Sequence, residues 1–273
     1  MPMSSRRCAI ATRPAPGSRC GATSTAGARL SGRALAAFPA PVPATLAEAY
    51  AVQQRLTAAL GAPVRGWKVG RIPPPLIKVL GTERVAGPVL RIAELDGEVP
   101  GEAAIFAGGA GAIEAEVMLR LRAVPDRLTG GDDGATWVDE IRAGFEVASS
   151  PAPDVHDHAP YGIIADVGIN NGLLLGPRLD IDDFAALAVE TQIDGVTVGT
   201  GRAIDVLDGP WGSLNFLVDL HRRGVIELKP GQWISAGAIT GVHPIGIGGA
   251  ATARFGSAVH IACTAVAETG FKP

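Results

Sequence analysis

Apolar residues recur at helical spacing over 46–60, at Leu46, Ala49, Val52, Leu56 and Leu60. Thr45 precedes them and Glu48 follows three residues on, a pairing in which hydroxyl and carboxylate satisfy free N–H groups of the first turn. Gly61 supplies the stop, so a helix is expected over 46–60. The period then changes. Ile113, Ala115, Val117, Leu119 and Leu121 alternate with Glu114, Glu116, Met118 and Arg120, which predicts a strand over 112–122. Gly66-Trp67-Lys68-Val69-Gly70 reads as a short strand, and 76–80 as a short helical piece after three prolines. Residues 126–136 read as a polar, glycine-rich loop. A short helix is expected over 137–143, a strand over 145–149, strand–turn–strand over 163–176, and a short helix over 182–187. Asp194-Gly195 between two alternating runs predicts a hairpin with both turn residues at positive φ. Leu214, Leu217 and Leu220 mark an amphipathic helix over 213–223, ended by Gly224, and 225–266 reads as a succession of short strands. Many strands with a few separate helices predict an α+β fold built around a sandwich or roll.

Composition sharpens this picture. Thirty-six glycines and 21 prolines in 273 residues fit many turns. The formal net charge of −3 leaves no basic footprint for nucleic acid. Residues 1–47 lack Asp and Glu, and residues 1–40 carry six arginines, so the rest of the chain is clearly acidic. Residues 1–43 are therefore expected to be a disordered, arginine- and alanine-rich extension, and 44–273 a single catalytic domain. The extension shares its composition with organelle import segments, but a cytoplasmic protein is expected. Three cysteines make no disulfide framework. The uncharged stretch 234–252 is too broken by glycine and proline to cross a membrane.

Few charges remain to carry chemistry. Glu114 and Glu116 lie on one strand face, about 7 Å apart along the chain. In an apolar segment two such carboxylates repel each other and lose solvation, which a hard divalent cation would relieve; a solvated strand face is the plainer reading. Glu146, in Gly144-Phe145-Glu146-Val147, supplies a third acid from a second apolar strand. Lys68 is one of four lysines and sits between Trp67 and Val69. It suits a substrate carboxylate or an acid–base role with a lowered pKa, or else it extends past the indole to solvent. Asp154, His156, Asp157 and His158 form a polar loop, either a catalytic His–acid pair or a border to the pocket. Asp166, Asn170 and Asn171 line a site or cap a turn. His243 reads as structural and Cys263 as core.

In order along 44–266, the segments TLAEAYAVQQRL, GWKVG, IEAEVMLRL, FEVASSP, ADVGINNGLLLG, VETQIDGVTVGTG, GPWGSLNFLVDLHRRG, KPGQWISAGAITGVHPI and ARFGSAVHI resemble the fumarylacetoacetate hydrolase superfamily, and in particular its 2-keto-4-pentenoate hydratase branch. The resemblance implies a rolled mixed β-sheet with flanking helices and a homo-oligomer. It implies Mg2+ or Mn2+ held by Glu114, Glu116 and Glu146, with Lys68 as a catalytic residue that helps accept the substrate carboxylate, and Asp166, Asn170 and Thr240 toward a small-molecule 2-keto acid. Hydration of a 2-hydroxy-2,4-dienoate is the activity expected from it. Hydrolysis of an acylpyruvate, with His156 or His158 as base, decarboxylation of a 2-keto diacid, and a non-catalytic binding member are the alternatives. Three departures stand out: Ala86 occupies a position where the hydratases carry an acid, Ala148-Ser149-Ser150 replaces their Asp-Ser-Arg, and their Ala-Asp-Asn turn reads here as ADVGINNG.

Overall fold

In a computed structural model, residues 16–97, 99–126, 134–180 and 184–272 are described. Helix α1 (Pro16–Ser31) leads into α2 (Leu46–Leu60). The Glu48 N–H donates to Thr45 Oγ1 at 3.2 Å, and the Glu48 carboxylate accepts from the N–H of Ala44, one residue further back than a capping box requires. Gly61 closes α2 in the left-handed region. Then come β1 (Gly66–Arg71), α3 (Pro74–Leu80), β2 (Arg84–Val89), β3 (Ile92–Glu94), β4 (Gly101–Ile105) and β5 (Ala110–Leu121). After β6 (Val138–Ser150) and a 3-10 turn (Val155–His158) follow α4 (Tyr161–Ala165) and β7 (Asn170–Arg178). The chain continues through β8 (Ala188–Ile193), β9 (Val196–Arg202), α5 (Gly209–Arg222), β10 (Trp233–Ser235), β11 (His243–Pro244), β12 (Ala250–Phe255) and β13 (Val259–Ala267).

Two mixed sheets result. One runs β2-β1-β10-β5-β6-β7-β3, with β11 also on β5; the other runs β4-β13-β12-β8-β9. A single apolar core joins them: Ala115, Val117, Leu119, Phe145 and Val147 of the first meet Ile105, Phe255, Ile261 and Cys263 of the second. The β8–β9 hairpin turns on Asp194 (φ 50°) and Gly195 (φ 78°), as the Asp-Gly pair predicts.

Four expectations need correction. The helix expected over 137–143 is instead the first half of β6, which pairs with β5 from Leu121 back to Ala110. The twelve-residue β5 presents backbone groups that must be paired, and this long-range demand overrides the local helical pattern. The first strand expected in 163–176 is helix α4 and a left-handed turn, since a short apolar run has no period to tell strand from buried helix. Of the helix expected over 182–187, residues 182 and 183 lie outside the described residues and Phe184–Leu187 forms a turn; most of the 126–136 loop also lies outside them. Finally, the described part of 1–43 is not a disordered tail. Ala22, Thr25, Ala26 and Arg29 make a buried helical stripe on α1, which packs against α2. The stripe escapes a hydrophobicity reading because its residues are small.

Residues 167–169 join α4 to β7 with three consecutive positive φ values: Val167 (48°), Gly168 (67°) and Ile169 (55°). Such a conformation is costly for branched side chains and persists only where surroundings enforce it. The turn lies on Gly87 of β2, where an added Cβ would fall 2.6 Å from the Val167 carbonyl oxygen. Gly87→Ala is expected to cost about 1–3 kcal/mol in a denaturant titration. An unchanged midpoint would show that this close approach is not needed.

Candidate active site

The second face of β5 is not solvated. Glu114, Glu116 and Met118 are buried, and Trp233, Leu173, Leu175 and Val89 pack with Met118. Glu114 and Glu146 are direct partners across the antiparallel β5–β6 ladder, and Glu116 lies opposite Gly144. One carboxylate oxygen from each of Glu114, Glu116 and Glu146 lies within 4.8 Å of the others. On β1, Lys68 pairs in register with Ser235 of β10, itself opposite Met118 of β5. Its Nζ reaches to 3.3 Å from Glu146 Oε1. Lys68 is 4% exposed, so it neither extends to solvent nor lies free.

Each carboxylate is aimed by neighbours. The Ser235 hydroxyl and the Gly237 N–H, at 2.8 Å, donate to Glu116 Oε2. Asn170 Nδ2 donates to Glu146 Oε1 at 3.0 Å. The opposite oxygens, Glu116 Oε1 and Glu146 Oε2, are buried without a partner among the described residues. Buried carboxylate oxygens left this way are costly, and a hard cation satisfies them. The donor set therefore fits a divalent ion with carboxylate ligands.

The electrostatics agree. Burial raises the Glu114 pKa from 4.5 to about 7, Glu146 adds to the rise, and Lys68 opposes it. Glu116 is also raised, by burial, then by Glu146 and Glu114. Burial pulls Lys68 down, but attraction to Glu146, Glu114 and Glu116 outweighs it, and the net shift is upward. In the cation-free protein the shift thus runs opposite to the lowered pKa that an acid–base role at neutral pH needs.

The remaining expected residues are distributed more widely. Asn170 joins the cluster through Glu146. Asp166 is 1% exposed and accepts from Arg29 Nε at 2.7 Å, while its Oδ2 has no partner among the described residues. Thr240 bonds Thr191 Oγ1 at 2.8 Å and His243 Nε2 at 3.1 Å, bridging to the second sheet. His156 is exposed. His158 faces Asp154 at 3.4 Å and packs its ring against Phe38. This loop anchors the segment after α1, where Asp154 Oδ1 accepts from the Phe38 N–H at 2.6 Å. Ser235 and Gly237 were not legible as partners of Glu116. A serine two residues after a tryptophan carries no signal until β10 is docked beside β5.

No protein-family model matches the chain, and no curated protein matches it significantly. Solved structures do. The chain superposes with a TM-score of 0.74 on 4-oxalocrotonate decarboxylase from Pseudomonas putida G7, complexed with magnesium and adipate. The two are 21% identical over 91% of this chain and 97% of that one. Fumarylpyruvate hydrolase from Pseudomonas aeruginosa, in complex with Mn2+ and pyruvate, gives 0.53 at 14% identity over 75% and 91%. 2-Hydroxyhepta-2,4-diene-1,7-dioate isomerase from Mycobacterium marinum gives 0.51 at 20% identity over 75% and 76%. The chain has the fold of the fumarylacetoacetate hydrolase family, two mixed sheets with few helices. No helix among the described residues is long and apolar enough to cross a membrane.

Proposed function

We propose that the protein is a divalent-cation-dependent lyase acting on 2-keto acids, and that decarboxylation of a 2-keto diacid is the reaction its site favours. The observation that carries the reading is the buried Glu114–Glu116–Glu146 cluster, with two unpartnered oxygens beside the fixed Lys68 ammonium. Mg2+ or Mn2+ bound there would polarise the C2 oxygen of a keto acid. Glu114, Glu116 and Glu146 would hold the ion; Ser235 and the Gly237 N–H orient Glu116, and Asn170 orients Glu146. Three carboxylates and one divalent ion leave a net charge of −1, which Lys68 neutralises, so that an anionic substrate is admitted. Its ammonium would stabilise negative charge as the bond to the distal carboxylate breaks, carbon dioxide leaves, the electron pair moves to the keto oxygen, and the resulting enolate takes up a proton from water.

This division of labour asks for fixed positive charge and not for a base. Ala86 fits it: the residue is fully buried on β2 opposite Val69, and its N–H and carbonyl are used by Tyr50 and Gln53. The likeness to a decarboxylase holding magnesium and a dicarboxylate supports the same reading. Hydration of a 2-hydroxydienoate is the second reading, and the buried Asp166 Oδ2, without a partner among the described residues, supports it as an acceptor that would orient a water. An assay with Mg2+ or Mn2+ against 2-keto diacids, 2-hydroxydienoates and acylpyruvates, read by product mass, separates them. Loss of carbon dioxide is expected; gain of water would establish hydration instead. Turnover undiminished by a chelator would overturn the cation-dependent reading altogether.

A further inference from the structure

Arg29 is the least expected member of this neighbourhood. It comes from α1, the segment whose arginines look like a solvated tail, yet it is 3% exposed. Its Nε donates to Asp166 Oδ1 at 2.7 Å. Nη1 reaches the Asn170 carbonyl at 3.4 Å and Asn171 Oδ1 at 3.2 Å. Nη2 reaches the carbonyls of Ser149 at 3.1 Å and Asp166 at 3.4 Å. The guanidinium also lies over the Phe106 ring.

These partners have a pattern. Asp166 and Asn170 are the two ends of the left-handed turn Val167-Gly168-Ile169, and Ser149 lies near the end of β6, the strand that carries Glu146. One planar fork thus ties both ends of a strained turn to the strand beside it. The turn walls the cation site in two ways. Asn170 donates to Glu146, and Gly168 packs so near Lys68 that an added Cβ would lie 3.2 Å from its Cδ. Asn171 continues the chain of contacts to Glu268, which Arg91 holds, and the Phe271 N–H returns to the Arg29 carbonyl at 2.8 Å.

We infer that Arg29 is a positioning residue for the cation site: it enforces the 166–170 turn and thereby fixes Asn170, Glu146 and Lys68 without touching the ion or the substrate. The inference rests on the proposed cation-dependent reading and makes the N-terminal segment part of the working enzyme. A lysine keeps the charge toward Asp166 but cannot span the three carbonyls.

The test uses the full chain and Mn2+ as probe. Arg29→Lys and Arg29→Gln are expected to weaken Mn2+ binding on the order of ten- to a hundredfold, as loss of a group behind a ligand does. The Mn2+ electron paramagnetic resonance line shape should change, and kcat should fall more than KM rises. Because coupling between sites is reciprocal, the same link is readable in the wild-type chain without any variant. Mn2+ should slow amide hydrogen exchange at 166–171 and at 27–33 as well as in β5 and β6. Protection confined to β5 and β6 would overturn the inference, as would folded Arg29 variants with wild-type Mn2+ affinity and line shape. Absence of Mn2+ binding to the wild-type chain would instead overturn the reading beneath it.

Discussion

Glu114→Gln is expected to stabilise the cation-free protein above pH 7 while abolishing its response to Mg2+ or Mn2+. The native fold raises the Glu114 pKa from 4.5 to about 7, so folding is easiest when the group is protonated. Below pH 4.5 the carboxyl is neutral in both states and exerts no penalty. Between 4.5 and 7 the unfolded chain loses its proton first, and stability falls as pH rises. Above 7 the penalty is complete, on the order of 3 kcal/mol for a shift of this size. Glutamine has nearly the same shape and no charge to desolvate, so the variant escapes the penalty. A bound cation cancels it in the wild-type protein, with about 3 kcal/mol available when the ion exceeds its dissociation constant a hundredfold. Melting curves from pH 4 to 9, with and without Mg2+, check both halves. The wild-type cation-induced rise should grow with pH and the variant should show none. A variant that still responds to the cation, or is less stable than wild type at pH 8, would remove Glu114 from the site.

Lys68→Met is expected to have the largest effect on activity. Lys68 is the buried ammonium against which all three glutamates are poised. Its pKa is raised, so its stabilising charge is fully present below its ordinary value of 10.5 and is lost only as pH rises beyond that. Methionine fills similar volume but leaves the three carboxylates facing one another. Breaking such a buried pair is worth about 3–5 kcal/mol, so the cation-free variant should be markedly unstable. Mg2+ should restore much of its melting temperature, because the ion replaces the missing positive charge. It should not restore turnover: kcat should stay about 10²–10³-fold down, since the ammonium that meets charge on the substrate is gone. A stable, active Lys68→Met protein would show that the lysine is only a counterion.

The contrast between Glu114 and His158 shows what was legible. Both belong to sequence patterns that chemistry uses, an E-x-E strand and a His–acid loop. The strand period places Glu114 and Glu116 on one face, and the apolar residues around Glu146 imply a buried setting, so the cluster follows from local pattern plus one antiparallel pairing. The loop has no period to place it, and His158 ends against Phe38 with Asp154. Arg29 failed for another reason. Its helix is built from Ala, Gly, Ser and Thr, whose burial gains come from close approach and not from large apolar surface.

The amino-acid sequence by itself determines the capped helix at 46–60, the Asp-Gly hairpin, the β5 alternation, and the three acids and one lysine that the structure brings together. These depend on neighbours within a few residues, where period and capping act. The tertiary structure alone decides which way 137–143 goes, because β5 offers unpaired backbone groups that only β6 can meet. It decides the direction in which the Lys68 pKa moves, since burial and attraction to three glutamates act in opposite directions. It also turns an apparent tail arginine into the clasp of a strained turn. Each of these outcomes is a balance between groups far apart in the chain, and local sequence carries no term for it.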